Sequence, residues 1–207
     1  MRIAVTGGNG KLAQAVLPWL IAQKHELLVN DRSQQAQDKP FPTTTYDLST
    51  HSGAASFLSA CHKHLGPMDA LINLMGFLST QPAFSFTQTH FRKEMEINLY
   101  APFMLMQQIE QDTLRVAAPF SLIHFTLCQA NKVYRKIVFH AIAKNGLESL
   151  CLSYNKRYKA TGRRCFCVRL PDMQKQALQE NLPHALARIL QNPAAEPAVI
   201  KTLCRAE

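Results

Sequence analysis

The amino-terminal stretch, MRIAVTGGNGKLA, constrains the fold of this chain more than any other feature. An apolar run over residues 3–5 ends at Thr6, and apolar residues at helical spacing follow from Leu12. Between them lie three glycines: Gly7, Gly8 and Gly10. Glycine lets a backbone approach a ligand closely, and a helix N-terminus offers free N–H groups with partial positive charge. A strand, a glycine turn and a helix in this order therefore predict a phosphate-binding turn.

Length and composition predict one domain, residues 1–207, in the cytoplasm. No uninterrupted apolar stretch approaches the roughly 20 residues of a membrane span, and a strand that begins at Arg2 leaves no room for a leader peptide. The cysteines form no Cys-x-x-Cys pair and have no histidine at zinc spacing, so we expect reduced thiols and no metal site. They are Cys61, Cys128, Cys151, Cys165, Cys167 and Cys204.

The net charge of +9 comes from one segment, residues 132–169, with ten Lys/Arg and the single acid Glu148. Three of its cations follow a predicted strand and suit an anionic substrate: Lys132, Arg135 and Lys136. Five others fall at the far end of a predicted helix: Lys156, Arg157, Lys159, Arg163 and Arg164. At that position they would complement the helix dipole as a solvated face. The alternative is that they form a docking patch for an acidic partner. No nucleic-acid recognition motif accompanies them.

Hydrophobic periodicity predicts strands that alternate with helices. We expect strands near residues 2–5, 26–30, 43–46, 69–76, 120–126, 164–170 and 198–203. We expect helices from residue 12, over 49–65, over 85–112 with a soft break at Pro102, over 138–160 and over 182–190, and a loop at 34–42. This order predicts a doubly wound, mostly parallel α/β sheet with right-handed crossovers. His124, inside a predicted strand, is expected to be a core residue.

Four stretches in the right order resemble the short-chain dehydrogenase/reductase family and together cover nearly all of residues 2–170. They are the glycine turn, the end of the second strand, the strand ending Asn73-Leu-Met-Gly76, and Asn98 within a helix. The turn departs from the family pattern at Ala13, which replaces a third glycine. The resemblance implies a Rossmann-type, three-layer α/β/α domain that binds NAD or NADP.

The resemblance also implies which residues hold the cofactor. The pyrophosphate would lie on the turn, at Thr6, Gly7, Asn9, Gly10, Lys11 and Leu12. Asp31 suits the ribose hydroxyls of NAD, whereas Arg32 suits the 2′-phosphate of NADP, so NADP is favoured slightly and NAD stays open. Asp47 and Leu48 would meet the adenine, or else lie in the N-cap region of the next helix. Gly76 would let the backbone pass under the cofactor, and Asn73 would tie neighbouring strands together.

The family's catalytic Tyr-x-x-x-Lys pair is replaced here by His140-x-x-x-Lys144. One helical turn puts both side chains on one face. In the family the lysine holds the nicotinamide ribose and lowers the pKa of the tyrosine, so His140 would act as acid or base beside Lys144. Asn98 would support a proton relay, and Thr126 would stand in for the family's serine. The remaining candidate tyrosines, Tyr134 and Tyr154, each lie ten residues from the lysine.

These features favour an NAD(P)-dependent reductase of a carbonyl or imine. The alternative is a dinucleotide-binding or scaffold protein without turnover, because the tyrosine is missing and only about ten residues separate Pro171 from the next predicted helix, too few for a substrate lid. The two long helices form a dimer interface in the family and imply a homodimer. Residues at helical spacing on the second of them suit either core or interface: Leu147, Leu150, Cys151 and Tyr154.

Overall fold

Seven parallel strands form one sheet in the order β3-β2-β1-β4-β5-β6-β7. The structure is a computed structural model that describes residues 1–33, 39–80, 85–111, 116–127, 137–170, 175–192 and 199–200. The strands are β1 Arg2–Thr6, β2 Glu26–Asn30, β3 Thr43–Thr44, β4 Met68–Asn73, β5 Val116–Leu127, β6 Arg163–Leu170 and β7 Val199–Ile200. The predicted doubly wound sheet is therefore confirmed. Its strand order reverses between β1 and β4, where sheets of this kind bind ligands.

Helices cover both faces of the sheet. They are α1 Lys11–Ala22, α2 His51–Leu65, α3 Gln88–Met95, α4 Ala101–Gln111, α5 Val138–Tyr158 and α6 Lys175–Leu190. α1 and α6 pack against one face, and α2, α4 and α5 pack against the other. Strands buried on both sides are apolar at successive positions, which explains the continuous run Ile3, Ala4 and Val5 in β1.

The long helix predicted over residues 85–112 is interrupted, but not at Pro102. A π-helical turn, Glu96–Tyr100, joins α3 to α4. Its i→i−5 bond runs from the N–H of Ala101 to the carbonyl of Glu96. Pro102 has no N–H to donate to the carbonyl of Asn98, so the α-helical pattern fails one turn before the proline. The disturbance therefore centres on Asn98.

Other boundaries differ from the predictions for local reasons. β4 stops at Asn73, because the Asn73 side chain accepts the N–H of Met75 (3.2 Å), and Gly76 lies beyond the strand. α6 begins at Lys175 rather than at residue 182. Leu178 and Leu182, which precede Pro183 and lie one helical turn apart, are both buried, so the helix extends back over them. Only residues 171–174 then separate β6 from α6, which shortens the space for a lid further. Among the described residues, no helix is long and apolar enough to cross a membrane.

Candidate functional site

The glycine turn brings the end of β1 against the segment that follows β4. Gly7 has φ +75°, and a Cβ there would lie 2.7 Å from the backbone nitrogen of Met75. The N–H groups of Gly7 and Gly8 both donate to the carbonyl of Asn30 (2.8 and 3.2 Å). α1 starts after Gly10 with no side-chain cap and no acidic residue in its first turn. The N–H groups of that turn thus lack a compensating negative charge, an arrangement that suits an anion.

A cavity of about 280 Å³ opens beside this turn, where the carboxyl ends of β1, β2 and β4 meet. Seven of the predicted cofactor residues line it: Gly7, Gly10, Asp31, Arg32, Asp47, Leu48 and Gly76. Thr6 and Asn73 lie buried beneath the turn instead. The cavity is also lined by Phe77 and Lys93, which lead from it toward α3.

The carboxylate of Asp31 is already hydrogen-bonded. Its Oδ2 accepts the N–H of Asn9 (2.8 Å), and its Oδ1 accepts both the N–H and the hydroxyl of Ser33 (2.9 and 2.6 Å). Burial acts to raise the pKa of Asp31, but these hydrogen bonds outweigh it and the pKa falls below its usual range. The carboxylate therefore holds the turn to the end of β2.

Two cations lie at the same end of β2. Arg32 is largely exposed and pairs loosely with Asp47 (3.5 Å). The ammonium of Lys39 donates to the side-chain oxygen of Asn9 (2.8 Å). Sequence reasoning missed Lys39, because it lies within the polar loop predicted over residues 34–42, whose path the sequence does not define. The available signal was a cation nine residues after the end of β2.

Two roles were considered for Asp47, contact with the adenine and a place in the N-cap region of α2, and the start of α2 bears on the second. The helix N-cap is Thr50, whose hydroxyl oxygen accepts the N–H of Gly53 (3.0 Å). Asp47 precedes it and accepts the N–H and the hydroxyl of Ser49 (3.1 and 2.7 Å). The hydrogen bond from the Ser49 hydroxyl is the largest influence on the carboxyl of Asp47, and its pKa is lowered. Asp47 and Leu48 both remain on the cavity wall.

A chain of buried polar side chains crosses three strands below the cavity. The hydroxyl of Thr6 donates to Oδ1 of Asn73 (2.6 Å), and Nδ2 of Asn73 lies 3.0 Å from Nδ1 of His124. Asn73 thus ties β1 to β4 and β5, as its position predicted. His124 is fully buried, as expected of a core residue, and burial together with the charge of Lys144 lowers its pKa to about 3.

The side chain of Asn98 joins the π-helical turn to the segment after β4. Its Oδ1 accepts the N–H of Phe77 (3.1 Å), and its Nδ2 donates to the carbonyl of Phe77 (2.7 Å) and to the carboxylate of Glu94 (2.8 Å). Asn98 is fully buried. Because both the oxygen and the nitrogen of this buried amide are hydrogen-bonded, Asn98 fixes the backbone of Phe77. The π-helical turn is thereby held to the segment that follows β4.

His140 lies at the start of α5 and faces the same two groups. Its Nδ1 is 2.9 Å from the carbonyl oxygen of Phe77 and 3.3 Å from the carboxylate of Glu94. A carbonyl oxygen only accepts hydrogen bonds, so Nδ1 carries the proton and Nε2 keeps a lone pair. Burial and the charge of Lys144 lower the pKa of His140 to about 4, against a smaller opposing effect of Phe77. At neutral pH this imidazole is uncharged.

Glu94 was not predicted. Its side chain is fully buried in α3 and accepts hydrogen bonds from the N–H of Ser79 and from Asn98. Burial raises the pKa of Glu94, although the bond from Ser79 and the charge of Lys144 oppose it. The signal in the sequence was a glutamate four residues before Asn98, the spacing that places two side chains on one helix face.

Lys144 is buried one helical turn after His140. Burial lowers its pKa to about 8, and the nearby Cys167 and Glu94 limit the fall by favouring the charged form. Its ammonium interacts electrostatically with both His140 and His124. Lysine is rarely buried without a partner of opposite charge, and a pKa this close to neutrality is typical of a group that exchanges protons.

Thr126 faces α5 from the end of β5, but its hydroxyl donates to the carboxylate of Glu148 (2.7 Å). The same carboxylate accepts two hydrogen bonds from the guanidinium of Arg169 (2.9 and 2.6 Å). The hydroxyl proton of Thr126 is therefore engaged within a buried ionic cluster. Sequence reasoning missed this cluster, since its members come from β5, α5 and β6.

Several residues that the sequence singled out lie outside the described residues: Lys132, Tyr134, Arg135 and Lys136, together with Cys128, Pro171 and Cys204. Tyr154 is buried at the other end of α5, where burial raises its pKa well above the usual range of a tyrosine. Such a phenol does not serve as a proton donor near neutral pH.

The distant basic residues divide into two groups. Arg163 pairs with Glu110 (3.2 Å), and Arg164 donates to the hydroxyl of Ser121 (3.2 Å). The other three are exposed at the end of α5 and just after it: Lys156, Arg157 and Lys159. The structure therefore leaves a solvated face of three cations, two of them in the last turn of α5, where positive charge complements the helix dipole.

Comparisons with known proteins agree on the fold. Residues 15–203 match the family model described as enoyl-(acyl carrier protein) reductase, a model of short-chain dehydrogenases/reductases. No curated protein matches the chain. A short-chain dehydrogenase/reductase from Serratia marcescens superimposes with TM-score 0.82 at 14% identity, over 96% of this chain and 94% of that one.

Two further similar structures contain a cofactor. A blue fluorescent protein from a metagenomic library, in complex with NADPH, superimposes with TM-score 0.77 at 17% identity, over 91% of this chain and 90% of that one. A 4-hydroxyisoleucine dehydrogenase complexed with NADH superimposes with TM-score 0.72 at 16% identity, over 82% of this chain and 74% of that one. At these identities the superpositions establish a shared fold.

Proposed function

This chain belongs to the short-chain dehydrogenase/reductase family, and on that premise we propose that it is an NAD(P)-dependent reductase of a carbonyl or imine substrate. The observation that carries the proposal is the burial of Lys144, a proton-bearing group, one helical turn after His140 and within electrostatic reach of Glu94. Burial of a charged ammonium is unfavourable. The presence of buried Lys144 beside the carboxyl ends of the strands therefore supports a role in chemistry rather than in stability.

The residues at the glycine turn fit a dinucleotide. The close approach at Gly7 and the uncapped start of α1 leave a positively polarised cradle beside the cavity. Asn9, Lys11 and Leu12 would complete the contact with the pyrophosphate, Asp47 and Leu48 would meet the adenine, and Gly76 would lie beneath the cofactor. When bound, a nicotinamide dinucleotide supplies or accepts a hydride. The similar structures with NADPH and NADH support this assignment.

The end of β2 favours NADP over NAD. Asp31 would hydrogen-bond the ribose hydroxyls of NAD, but both of its oxygens already accept hydrogen bonds from Asn9 and Ser33. Arg32 is exposed and Lys39 lies beside Asn9, so two cations are available for a 2′-phosphate. We therefore assign Arg32 and Lys39 as the groups that select NADP.

Lys144 carries the transferred proton in both directions. With a pKa of about 8 it is mostly protonated at pH 7 and supplies the proton when substrate is reduced, and its neutral amine takes the proton back when substrate is oxidised. With a pKa of about 4, His140 is neutral at pH 7, and its Nε2 serves as a hydrogen-bond acceptor beside Lys144. Lys144 would also hold the nicotinamide ribose. Thr126, whose proton is engaged by Glu148, can only accept a hydrogen bond from the substrate side.

Asn98 acts as a positioning residue in this scheme. Its side chain is occupied by Phe77 and Glu94, so it cannot hold a relay water through the amide. Its backbone carbonyl lies opposite Pro102, which has no N–H, and this carbonyl is where we place the relay water. Glu94, which touches both Asn98 and His140, keeps the imidazole oriented.

A homodimer through the two long helices completes the proposal. Five large apolar side chains on these helices and the π-helical turn are exposed: Phe91, Tyr100, Phe103, Ile142 and Leu152. The residues that the sequence left open as core or interface are mainly core, because Leu147, Cys151 and Tyr154 are buried. A second copy of this chain would cover the exposed set.

A dinucleotide-binding protein without turnover is the second candidate. One observation favours it: the two groups that replace the family's tyrosine and serine are a neutral His140 and a Thr126 whose proton is already donated. Titration with NADPH and NADH, followed by intrinsic fluorescence, tests the premise shared by both candidates. Turnover on a panel of ketones, aldehydes and cyclic imines then separates them. Binding with no turnover on any panel member would establish the second candidate.

A further inference from the structure

Three buried side chains outside the cofactor site converge within the sheet. His124 lies in β5, Cys151 in α5 and Cys165 in β6, and one ligand atom of each lies within 4.8 Å of the others. All three residues are buried. A fourth, Cys167, lies two residues after Cys165 on the same face of β6 and is hydrogen-bonded to the thiol of Cys151. Three sulfurs and an imidazole thus share one pocket.

The register of β5 and β6 brings these groups together. His124 pairs directly with Cys167, and Leu122 pairs with Cys165. Residues two apart in a strand face the same side, so Cys165 and Cys167 both point toward α5, which supplies Cys151. Only Cys165 and Cys167 are close in sequence, and no short-range zinc motif is present.

One atom in the pocket lacks a partner. Nδ1 of His124 faces the side chain of Asn73, but Nε2 is buried and forms no hydrogen bond to any of the residues that the structure describes. A buried polar atom without a partner lowers stability and calls for an explanation. An imidazole nitrogen that faces thiols suggests metal ligation as that explanation.

We propose that His124, Cys151, Cys165 and Cys167 bind one Zn²⁺ ion. Zinc prefers four thiolate or imidazole ligands in a tetrahedron, with Zn–S near 2.3 Å and Zn–N near 2.0–2.1 Å. Such a tetrahedron separates its ligand atoms by about 3.5–3.8 Å. The ligand atoms of His124, Cys151 and Cys165 lie within 4.8 Å of one another, so these three would draw closer on binding, and the thiol of Cys167, which is not one of those three, would turn in to complete the set. Each thiol exchanges its S–H bond for an S–Zn bond and releases one proton to solvent, with no change of oxidation state.

Such a site needs a positive charge nearby and a hydrogen-bond partner for the second ring nitrogen of the histidine, and the surrounding residues offer both. Three thiolates and Zn²⁺ carry one net negative charge, and the ammonium of Lys144 lies close enough to Cys167 to interact with it electrostatically. A metal-ligating histidine donates its other ring N–H to an acceptor. In the structure the nitrogen of the Asn73 amide faces Nδ1 at 3.0 Å. Rotation of the amide about its last torsion would bring its oxygen to Nδ1, would make the Thr6 hydroxyl an acceptor and would give up the hydrogen bond from the N–H of Met75.

Metal analysis and Co²⁺ substitution test the proposal. The full chain is purified with a thiol reductant, stripped with a chelator and titrated with Zn²⁺ or Co²⁺ alone. We expect one equivalent of zinc, a higher Tm of the loaded protein, and for Co²⁺ a sulfur-to-metal charge-transfer band with intense visible bands typical of tetrahedral coordination. Cys151→Ser and Cys165→Ser should each weaken the charge-transfer band, since each removes one of three thiolates, and His124→Gln should shift the visible bands. Cys61→Ser, a change at a buried cysteine elsewhere in the core, should leave both unchanged.

A measurement on the unmodified protein keeps the proposal testable if the variants fail to fold. X-ray absorption at the zinc edge should show three sulfurs near 2.3 Å and one nitrogen near 2.0–2.1 Å. Three results would overturn the proposal. They are less than a tenth of an equivalent of zinc after titration, a zinc environment of nitrogen and oxygen only, or uptake of Cu⁺ with no uptake of Zn²⁺.

Discussion

Nδ1 of His140 lies 2.9 Å from the carbonyl oxygen of Phe77. This contact joins the start of α5 to the segment that follows β4, 63 residues earlier in the chain. Because a carbonyl cannot donate, it assigns the proton of His140 to Nδ1 and leaves Nε2 as an acceptor. The free nitrogen of this imidazole therefore only accepts a hydrogen bond, whereas the hydroxyl of a tyrosine both donates and accepts. The proton for reduction has to come from another group.

Replacing Lys144 should remove turnover. Lys144→Met keeps an unbranched side chain of similar length but deletes the ammonium, so we expect kcat/KM for reduction to fall about a hundredfold or more, the contribution of a general acid. Steady-state kinetics on the best substrate of the panel measures this. Lys156→Met, an exposed lysine three turns further along α5, is the matched control and should retain full activity. Equal losses in both variants would contradict the role of Lys144.

The pH dependence of reduction should report Lys144 rather than His140. The protonated form of Lys144 is the active one, so kcat/KM should be level through neutrality and fall about tenfold per pH unit above a pKa of about 8. If protonated His140 were the donor, activity would already fall as the pH rises through about 4. Lys144→Arg keeps the positive charge but should lose activity as Lys144→Met does, because a guanidinium keeps its proton and cannot supply it to the substrate. A profile that declines steadily from pH 5 to pH 8 would count against this assignment.

Arg32 and Lys39 should discriminate between the coenzymes. Arg32→Ala and Lys39→Ala each remove a cation from the end of β2, so we expect the Kd for NADPH to rise about tenfold, the effect of one charge-assisted hydrogen bond. The Kd for NADH should change less than twofold, since it carries no 2′-phosphate. Fluorescence titration gives both values. Lys63→Ala, in the last turn of α2 and away from the cavity, serves as the control. Parallel losses for both coenzymes would show that these cations do not read the 2′-phosphate.

The exposed apolar side chains of α5 should hold the dimer together. Leu152 and Ile142 are 55% and 48% exposed, and a charge at the centre of an apolar interface is strongly unfavourable. Leu152→Glu and Ile142→Glu should therefore convert a dimer into monomers, as measured by sedimentation velocity. Ile21→Glu, at an exposed apolar position on α1 across the sheet, should leave the dimer intact. A wild-type protein that sediments as a monomer at all concentrations would rule out the proposed interface.

Local signals in the sequence were sufficient for most of the fold. The strand, glycine turn and helix at the amino terminus need only their own residues, because glycine conformation and apolar periodicity act within a few positions. The strand at residues 26–30 and the His140-x-x-x-Lys144 spacing were read correctly for the same reason. The predicted start of α6 was too late, because proline is common at the first position of a helix and Pro183 therefore favoured a start near residue 182. The burial of the residues that precede Pro183 is a tertiary property that the sequence alone does not show.

What the sequence by itself determined, then, is the order of elements, the position of the glycine turn and the placement of His140 and Lys144 on α5, all of which depend on neighbours in the chain. Only the tertiary structure decided what those groups touch. Sheet register and helix packing join positions dozens of residues apart, and they bring Glu94 to His140, Lys39 to Asn9, and His124 to Cys151 and Cys165. Burial then set the protonation states of His140 and Lys144, since desolvation depends on everything that surrounds a group and not on its place in the chain.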